Sequence, residues 1–268
     1  MDYLYLIAFL GVGVLAGILA GLLGIGGGAV IVPALILLFG AMGEQHGMTE
    51  TWIPHLAVAT SLATVVASGA SSAWTHHRRG AVRWELFARI VPGILVGAWL
   101  GAYLAAWLPG LWLKRLFALF LVFNGMRMLI GKRQVSEHPF PPAPGLATAA
   151  TAIGALSALL GIGGGILTVP FLAKHGVNMR QAVATSSACG VPLALAGSIG
   201  FIVSGLGRDG LPAHSLGFVY WPAALAIITA SVPMATLGAR LAHSLPTATL
   251  KRVFALLLLA VGIDLLLA

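Results

Sequence analysis

A twelve-residue stretch, LLGIGGGAVIVP at 22–33, returns at 159–170 as LLGIGGGILTVP, identical at nine of twelve positions. Each copy sets four glycines in seven residues inside an apolar run, where each costs roughly 1 kcal/mol relative to alanine in a helix interior. Two helices broken alike point to a duplicated unit. Two more blocks agree: AVATS at 57–61 and 182–186, and LKRLFAL at 113–119 answered by LKRVFAL at 250–256. The outer blocks lie 137 residues apart and the middle one 125. The first copy therefore carries twelve extra residues in the polar stretch 43–52, and the second recovers them near 204–217.

The solvent for such a unit is lipid. Hydrophobic residues make up 59% of the 268 and charged residues only 8%, with mean hydropathy +0.99. That is too few charges to cover a water-facing surface. Several runs approach the ~20 residues that cross about 30 Å of hydrocarbon. The net charge of +8 does not point to nucleic acid, because the Lys and Arg residues sit at the ends of hydrophobic runs, where membrane proteins fix orientation. Cys189 stands alone, which excludes an internal disulfide and a CxxC site. The first run is expected to stay in the mature protein, since it lacks a basic flank and ends in the repeated motif.

The fold class is thus an all-α polytopic membrane protein. Two repeats, 1–130 and 145–268, flank a proline-rich linker, GKRQVSEHPFPPAP, at 131–144. Each repeat offers five hydrophobic segments: near 3–23, 29–40, 55–74, 86–108 and 111–130, then near 145–160, 165–173, 181–204, 217–242 and 248–267. The second segment of each is too short to span comfortably and suits a broken or re-entrant helix. Pro54 suits a first helical turn, and Asn178 with Gln181 resembles a capping box. If each repeat makes an odd number of crossings, the copies are inverted. With the 75–85 loop in the cytoplasm, twelve Lys and Arg residues then fall inside and three outside, against eight and seven for parallel copies. The positive-inside preference selects the inverted arrangement, with both termini outside.

Inverted repeats with interrupted helices bind substrate at midplane where the copies meet. The short arms beginning near Ala29 and Ile166 would present free N–H groups at a helix N-terminus, an anion-binding end. Gly26, Gly27 and Gly28, with Gly163, Gly164 and Gly165, are the candidate backbone donors. The competing use of such glycines is close helix packing. Thr60, Ser61, Thr185 and Ser186 add hydroxyls that can donate to an anion without a buried full charge. Ser61 begins a stripe continuing through Thr64, Ser68 and Ser71 or Ser72, and Ser187 extends the second copy. Their competing use is bonding to their own i−4 carbonyls or to a neighbouring helix.

Other candidates are weaker. The eight histidines show no ligand spacing, and His76–His77 reads as part of a solvated basic loop. Arg240 and Asp264 are intramembrane charges, functional by default unless they snorkel from helix ends. Seven Asp and Glu residues, almost all in loops or at termini, do not make an enzyme site, and no nucleotide motif is present.

The paired LLGIGGG…VP motifs, each followed by AVATS, resemble the TauE/SafE family of sulfite exporter-like permeases over about residues 5–267. The resemblance implies a roughly eight-span duplicated domain that moves sulfur-containing anions such as sulfite or organosulfonates. The motif falls on Gly24–Gly28 with Pro33, on Gly161–Gly165 with Pro170, and on 59–61 and 184–186. The expectation is a secondary transporter in the inner membrane, multi-pass, without cofactor or metal. Its partners are the lipid bilayer and a small anion, not nucleic acid, and a homodimer is compatible with it. The alternatives are an anion channel or an importer of another small anion.

Overall fold

The computed structural model describes residues 3–23, 27–43, 46–130, 139–241 and 247–267. In order, the helices are α1 (Tyr3–Leu23), α2 (Gly28–Met42), α3 (Ile53–Arg78), α4 (Trp84–Trp107) and α5 (Gly110–Ile130). Then follow α6 (Ala143–Leu159), α7 (Gly165–Lys174), α8 (Met179–Gly205), α9 (Trp221–Leu241) and α10 (Thr247–Leu267). Two short strands, β1 (Ser215–Leu216) and β2 (Val219–Tyr220), form an antiparallel hairpin between α8 and α9. Ser215 pairs Tyr220 in that hairpin. It is a departure from expectation, because residues 217–220 do not belong to the following helix. Gly217, at φ +55°, turns the chain back against α8 instead.

The chain is an all-α membrane protein. Among the described residues five helices are long and apolar enough to cross a bilayer: Tyr3–Leu22, Ile53–Arg78, Trp84–Trp107, Met179–Gly205 and Trp221–Gly238. The arms α2 and α7 run only 15 and 10 residues. At about 1.5 Å per residue neither reaches across the hydrocarbon. Pro54 sits in the first turn of α3. Asn178 caps α8 by accepting from the Arg180 N–H at 3.0 Å. Among the described residues Gln181 makes no reciprocal bond, so only half of the capping box forms.

Helices find their partners across the sequence midpoint. The most extensive contacts join α1 to α9, α4 to α6, α3 to α8 and α5 to α10. Exchange the two halves and this set maps onto itself. Directions follow from which residues meet. Leu62 lies against Gly197 while Gly69 lies against Val191, so α3 and α8 are antiparallel. Gly125 meets Leu259 while Gly262 meets Ala118, so α5 and α10 are antiparallel too. By contrast α1 runs with α9, and α4 runs with α6.

Lipid tails are as apolar as leucine, so these helices gain little by hiding from solvent and associate through close packing. Glycine supplies it. A Cβ on Gly13 or Gly17 would collide with α9 at the Ile227 and Ser231 carbonyls, and one on Gly238 with the Ile18 carbonyl. On α4, Gly93, Gly97 and Gly101 step every fourth residue along α6 at Ala147, Thr151 and Ala155. Close packing of this kind also involves the broken-helix glycines, as at Gly28 and Gly163. In the core, α3 buries its face from Ile53 to Val65 almost continuously.

Candidate functional site

The two glycine breaks touch. Gly28 opens α2 and lies flat on the second break: an added Cβ would strike the Gly161 carbonyl oxygen and come within 3.0 Å of Ile162 Cα. Gly161, at φ +69°, is itself pressed by α3, with Val58 Cα 3.0 Å from where its Cβ would be. Gly163 lies against the Val65 side chain, and its carbonyl closes on Gly190 of α8. Both breaks therefore sit where α3 and α8 cross.

Matched letters adopt different conformations. Gly164 caps α7 at φ +79°, left-handed, whereas its counterpart Gly27 caps α2 at φ −68°, right-handed. Beyond these caps, the N–H groups of Gly28 and Ala29, and of Gly165 and Ile166, have no carbonyl acceptor among the described residues. They are the open helix ends that the sequence suggests. Gly164 is different: its N–H donates to the Ile162 carbonyl at 2.6 Å. Gly26 lies outside the described residues.

The four repeated hydroxyl residues are completely buried, and the structure brings them to the junction in unlike roles. Thr60 Oγ1 accepts the Tyr220 N–H at 3.0 Å, and Thr185 Oγ1 accepts the Arg83 N–H at 3.0 Å. Each bond ties one half to the other. Arg83 and Tyr220 stand 137 residues apart, each immediately before a corresponding helix, α4 or α9. Ser61 donates to the Gly161 carbonyl at 2.9 Å, holding the second break onto α3. Its single proton is committed there. Ser186, its counterpart, has no hydrogen-bond partner among the described residues.

A small cavity opens beside the break, about 20 Å³, lined by Ala20, Val65, Ser68, Gly69, Ser72, Gly163, Ser187 and Gly190. That is room for a water molecule and less than a sulfur oxyanion needs. Of the nine described candidate residues only Gly163 reaches it. Along α3, Thr64 donates back to Ser61 O and Ser68 to Thr64 O; on α8, Ser187 donates to Val183 O. Those three follow the local-bonding alternative. Ser72 does not: its buried hydroxyl has no partner among the described residues. The wall formed by Ser72 and Gly190 was not picked out by repetition, since the counterpart of Ser72 is Gly197 and that of Gly190 is Val65.

The two stretches that break repeat symmetry also meet. Thr49 Oγ1 donates to Gly210 O at 2.9 Å, Trp52 Nε1 donates to Asp209 O at 3.2 Å, and the Arg208 guanidinium stands 5.6 Å over the Trp52 ring. Beneath them the buried His55 ring stacks on Phe218 at 5.2 Å. Its Nε2 sits 3.0 Å and 3.1 Å from the Ala105 and Leu108 carbonyls. These contacts seal the α3 start and α8 end. At the opposite ends of those helices the connection from α3 to α4 is only residues 79–83. There Trp84 Nε1 donates to His77 Nδ1 at 3.3 Å. Asp264 is exposed on α10, and the Arg240 side chain lies outside what is described.

The family model for the sulfite exporter TauE/SafE matches residues 9–265, nearly the whole chain. This chain belongs to the TauE/SafE family. Among its relatives a probable membrane transporter protein of Haemophilus influenzae is 37% identical over 267 residues, covering 99% of each chain. One from Methanocaldococcus jannaschii is 31% identical over 96% of this chain and 93% of its own. Another, from Xylella fastidiosa, is 32% identical over 96% and 94%. No solved structure matches. The TauE/SafE protein described here is accordingly a membrane transporter.

Proposed function

We propose that this transporter is a secondary carrier that exports a small sulfur-containing anion, sulfite or an organosulfonate, across the inner membrane. The observation that carries the proposal is the meeting of the two helix breaks at the α3–α8 crossing, with open N–H groups on both arms. Gly28 and Gly165, with the next residue of each arm, would supply backbone donors at positive helix ends. Ser186 would add the one repeated hydroxyl with no hydrogen-bond partner among the described residues. In this state Thr60, Thr185 and Ser61 brace the junction, while Gly27 and Gly164 set the two cap geometries, so their reach toward the anion depends on a change of state.

Carrier behaviour is supported by asymmetry. Inverted copies in identical conformations would open equally to both sides of the membrane. Here Gly27 and Gly164 differ in backbone hand, and the cavity at the break is too small for the cargo. One end of the α3–α8 pair is sealed by the Thr49, Trp52, Arg208 and Phe218 contacts; the other has only a short turn. Orienting the basic 75–85 loop to the cytoplasm puts that seal outside. Export then requires the seal to part as the inner end closes, by rocking of the halves.

Uptake of radiolabelled sulfite, and of a competing C2 sulfonate, into proteoliposomes under an imposed gradient tests this. Saturable flux of either, blocked by the other, is the expected result. Absence of both, from protein shown to be folded, removes the substrate class.

A further inference from the structure

We propose that the groove between the end of α3, the start of α4 and the middle of α8 is a binding site for one anionic phospholipid. The groove encloses about 430 Å³, within the size range of ligand pockets. Its floor is small and apolar, Ala70 and Ala73 on α3 and Ala188, Val191 and Pro192 on α8. Its rim is aromatic: Trp74, His77, Trp84 and Phe87. Trp84 is fixed there, edge-on to Phe87 at 5.1 Å and hydrogen-bonded to His77. Trp74 is 63% exposed and Trp84 48% exposed, so the groove opens sideways off the helix bundle. For a membrane protein the medium on that side is acyl chain.

Two further observations select an anionic lipid. Arg78 follows His77 and Arg83 precedes Trp84, both arginines exposed, and Glu85 is the one carboxylate in 75–89. Tryptophans at headgroup level with cations just beyond are the arrangement that receives an acidic headgroup above its own tail. The second copy is built differently at the matching connection. There the longer connection folds back as the 215–220 hairpin, and Phe218 packs against Phe201 and Gly205 of α8. The first copy's connection is only the five residues from 79 to 83, too short for such a hairpin. A bound lipid would rest its phosphate beside Arg83, whose backbone N–H holds Thr185.

Native mass spectrometry of the purified full-length protein with dioleoyl phosphatidylglycerol or dioleoyl phosphatidylcholine tests the assignment. Phosphatidylglycerol is expected to be retained at least tenfold more strongly, and Arg78→Gln with Arg83→Gln to bring it down to the phosphatidylcholine level. Ala188→Trp, which fills the floor, should abolish retention of both. Equal retention of the two lipids by the wild type, or undiminished retention by Ala188→Trp, overturns the site. Should Ala188→Trp fail to fold, quenching of tryptophan fluorescence by phosphatidylglycerol brominated in its acyl chains gives a second reading. The quench should drop in a Trp74→Phe, Trp84→Phe variant, and an unchanged quench refutes the groove. Displacement of the lipid by sulfite or a C2 sulfonate would overturn it as well, making the groove a vestibule for transported anion.

Discussion

Thr60 in the first half accepts the backbone N–H of Tyr220 in the second, at 3.0 Å and with both groups buried. Its mirror pair, Thr185 with Arg83, has the same length. Each bond satisfies a peptide N–H just ahead of a helix, where no intrahelical acceptor is available. Replacing Thr60 by valine keeps the shape and strands the donor, a loss of about 1–3 kcal/mol. The thermal midpoint of the purified protein should fall accordingly, and Thr60→Ser should recover most of it. A wild-type midpoint for Thr60→Val means that the bond carries no stability.

Two glycines with the same place in the repeat should tolerate alanine differently. Gly164 is left-handed, a conformation that costs an L-residue about 1–2 kcal/mol. Gly27 is right-handed, and a Cβ there meets the flexible tip of Ile31 at 3.1 Å and the Ala16 Cβ at 3.2 Å. Gly164→Ala should destabilise clearly and Gly27→Ala hardly at all. Equal effects in a paired thermal-melt comparison would contradict the described asymmetry.

The unpartnered Ser186 hydroxyl separates a binding role from a structural one. A buried polar group without a partner adds nothing to stability, so Ser186→Ala should fold at least as well as the wild type. If the hydroxyl donates to the anion, about ten- to hundredfold of apparent affinity should go with it. An unchanged transport KM for sulfite takes Ser186 out of the site.

Parting of the sealed end can be prevented covalently. A Cβ built on Gly210 stands 3.3 Å from the Thr49 hydroxyl, within reach of a disulfide, although the left-handed backbone there (φ +77°) costs a cysteine about 1–2 kcal/mol. Thr49→Cys with Gly210→Cys, oxidised, should stop flux, and reductant should restore it. Full transport by the cross-linked protein would mean that the seal does not open during the cycle.

Close packing of α4 on α6 gives a fourth length scale. Gly97→Leu drives a side chain into the Thr151 carbonyl, an overpacking loss of about 1–3 kcal/mol or more. The expected result is a lower melting midpoint in detergent with substrate affinity preserved in the fraction that folds.

Much of this was written in the letters. Hydrophobic run lengths locate the helices to within a few residues, because lipid imposes a minimum span on any helix that crosses it. The repeated GIGGG motifs locate the breaks, because few other sequences interrupt apolar helices so sharply. What the letters do not carry is long-range pairing. Ser61 looks like an anion donor in sequence; its proton goes to Gly161, one hundred positions away, a partner that only the α3–α8 crossing supplies. Identical glycines at 27 and 164 take opposite backbone hands in unlike surroundings, with Ala16 and Ile31 beside one and Leu193 beside the other. One pairing was legible in principle: Arg83 and Tyr220 are spaced by the repeat length, as their helices are. The hairpin at 215–220 was not, since its residues are as apolar as the helix they precede.

Because α1 rests on α9 and α4 on α6, neither half contains the surface that completes it. On the ribosome α1 emerges some two hundred residues before its partner, a wait of roughly ten to forty seconds at ordinary elongation rates. Throughout that interval its glycine face has only lipid for company, and the first half exists as inserted but unassembled helices open to proteolytic surveillance. Quality control of this protein therefore acts on a waiting intermediate, and assembly is a late event triggered by the last helices. Severed in the 131–144 linker and expressed as two fragments, the chain should accumulate only when both are made together; fragments equally abundant when made singly would show that each half completes itself.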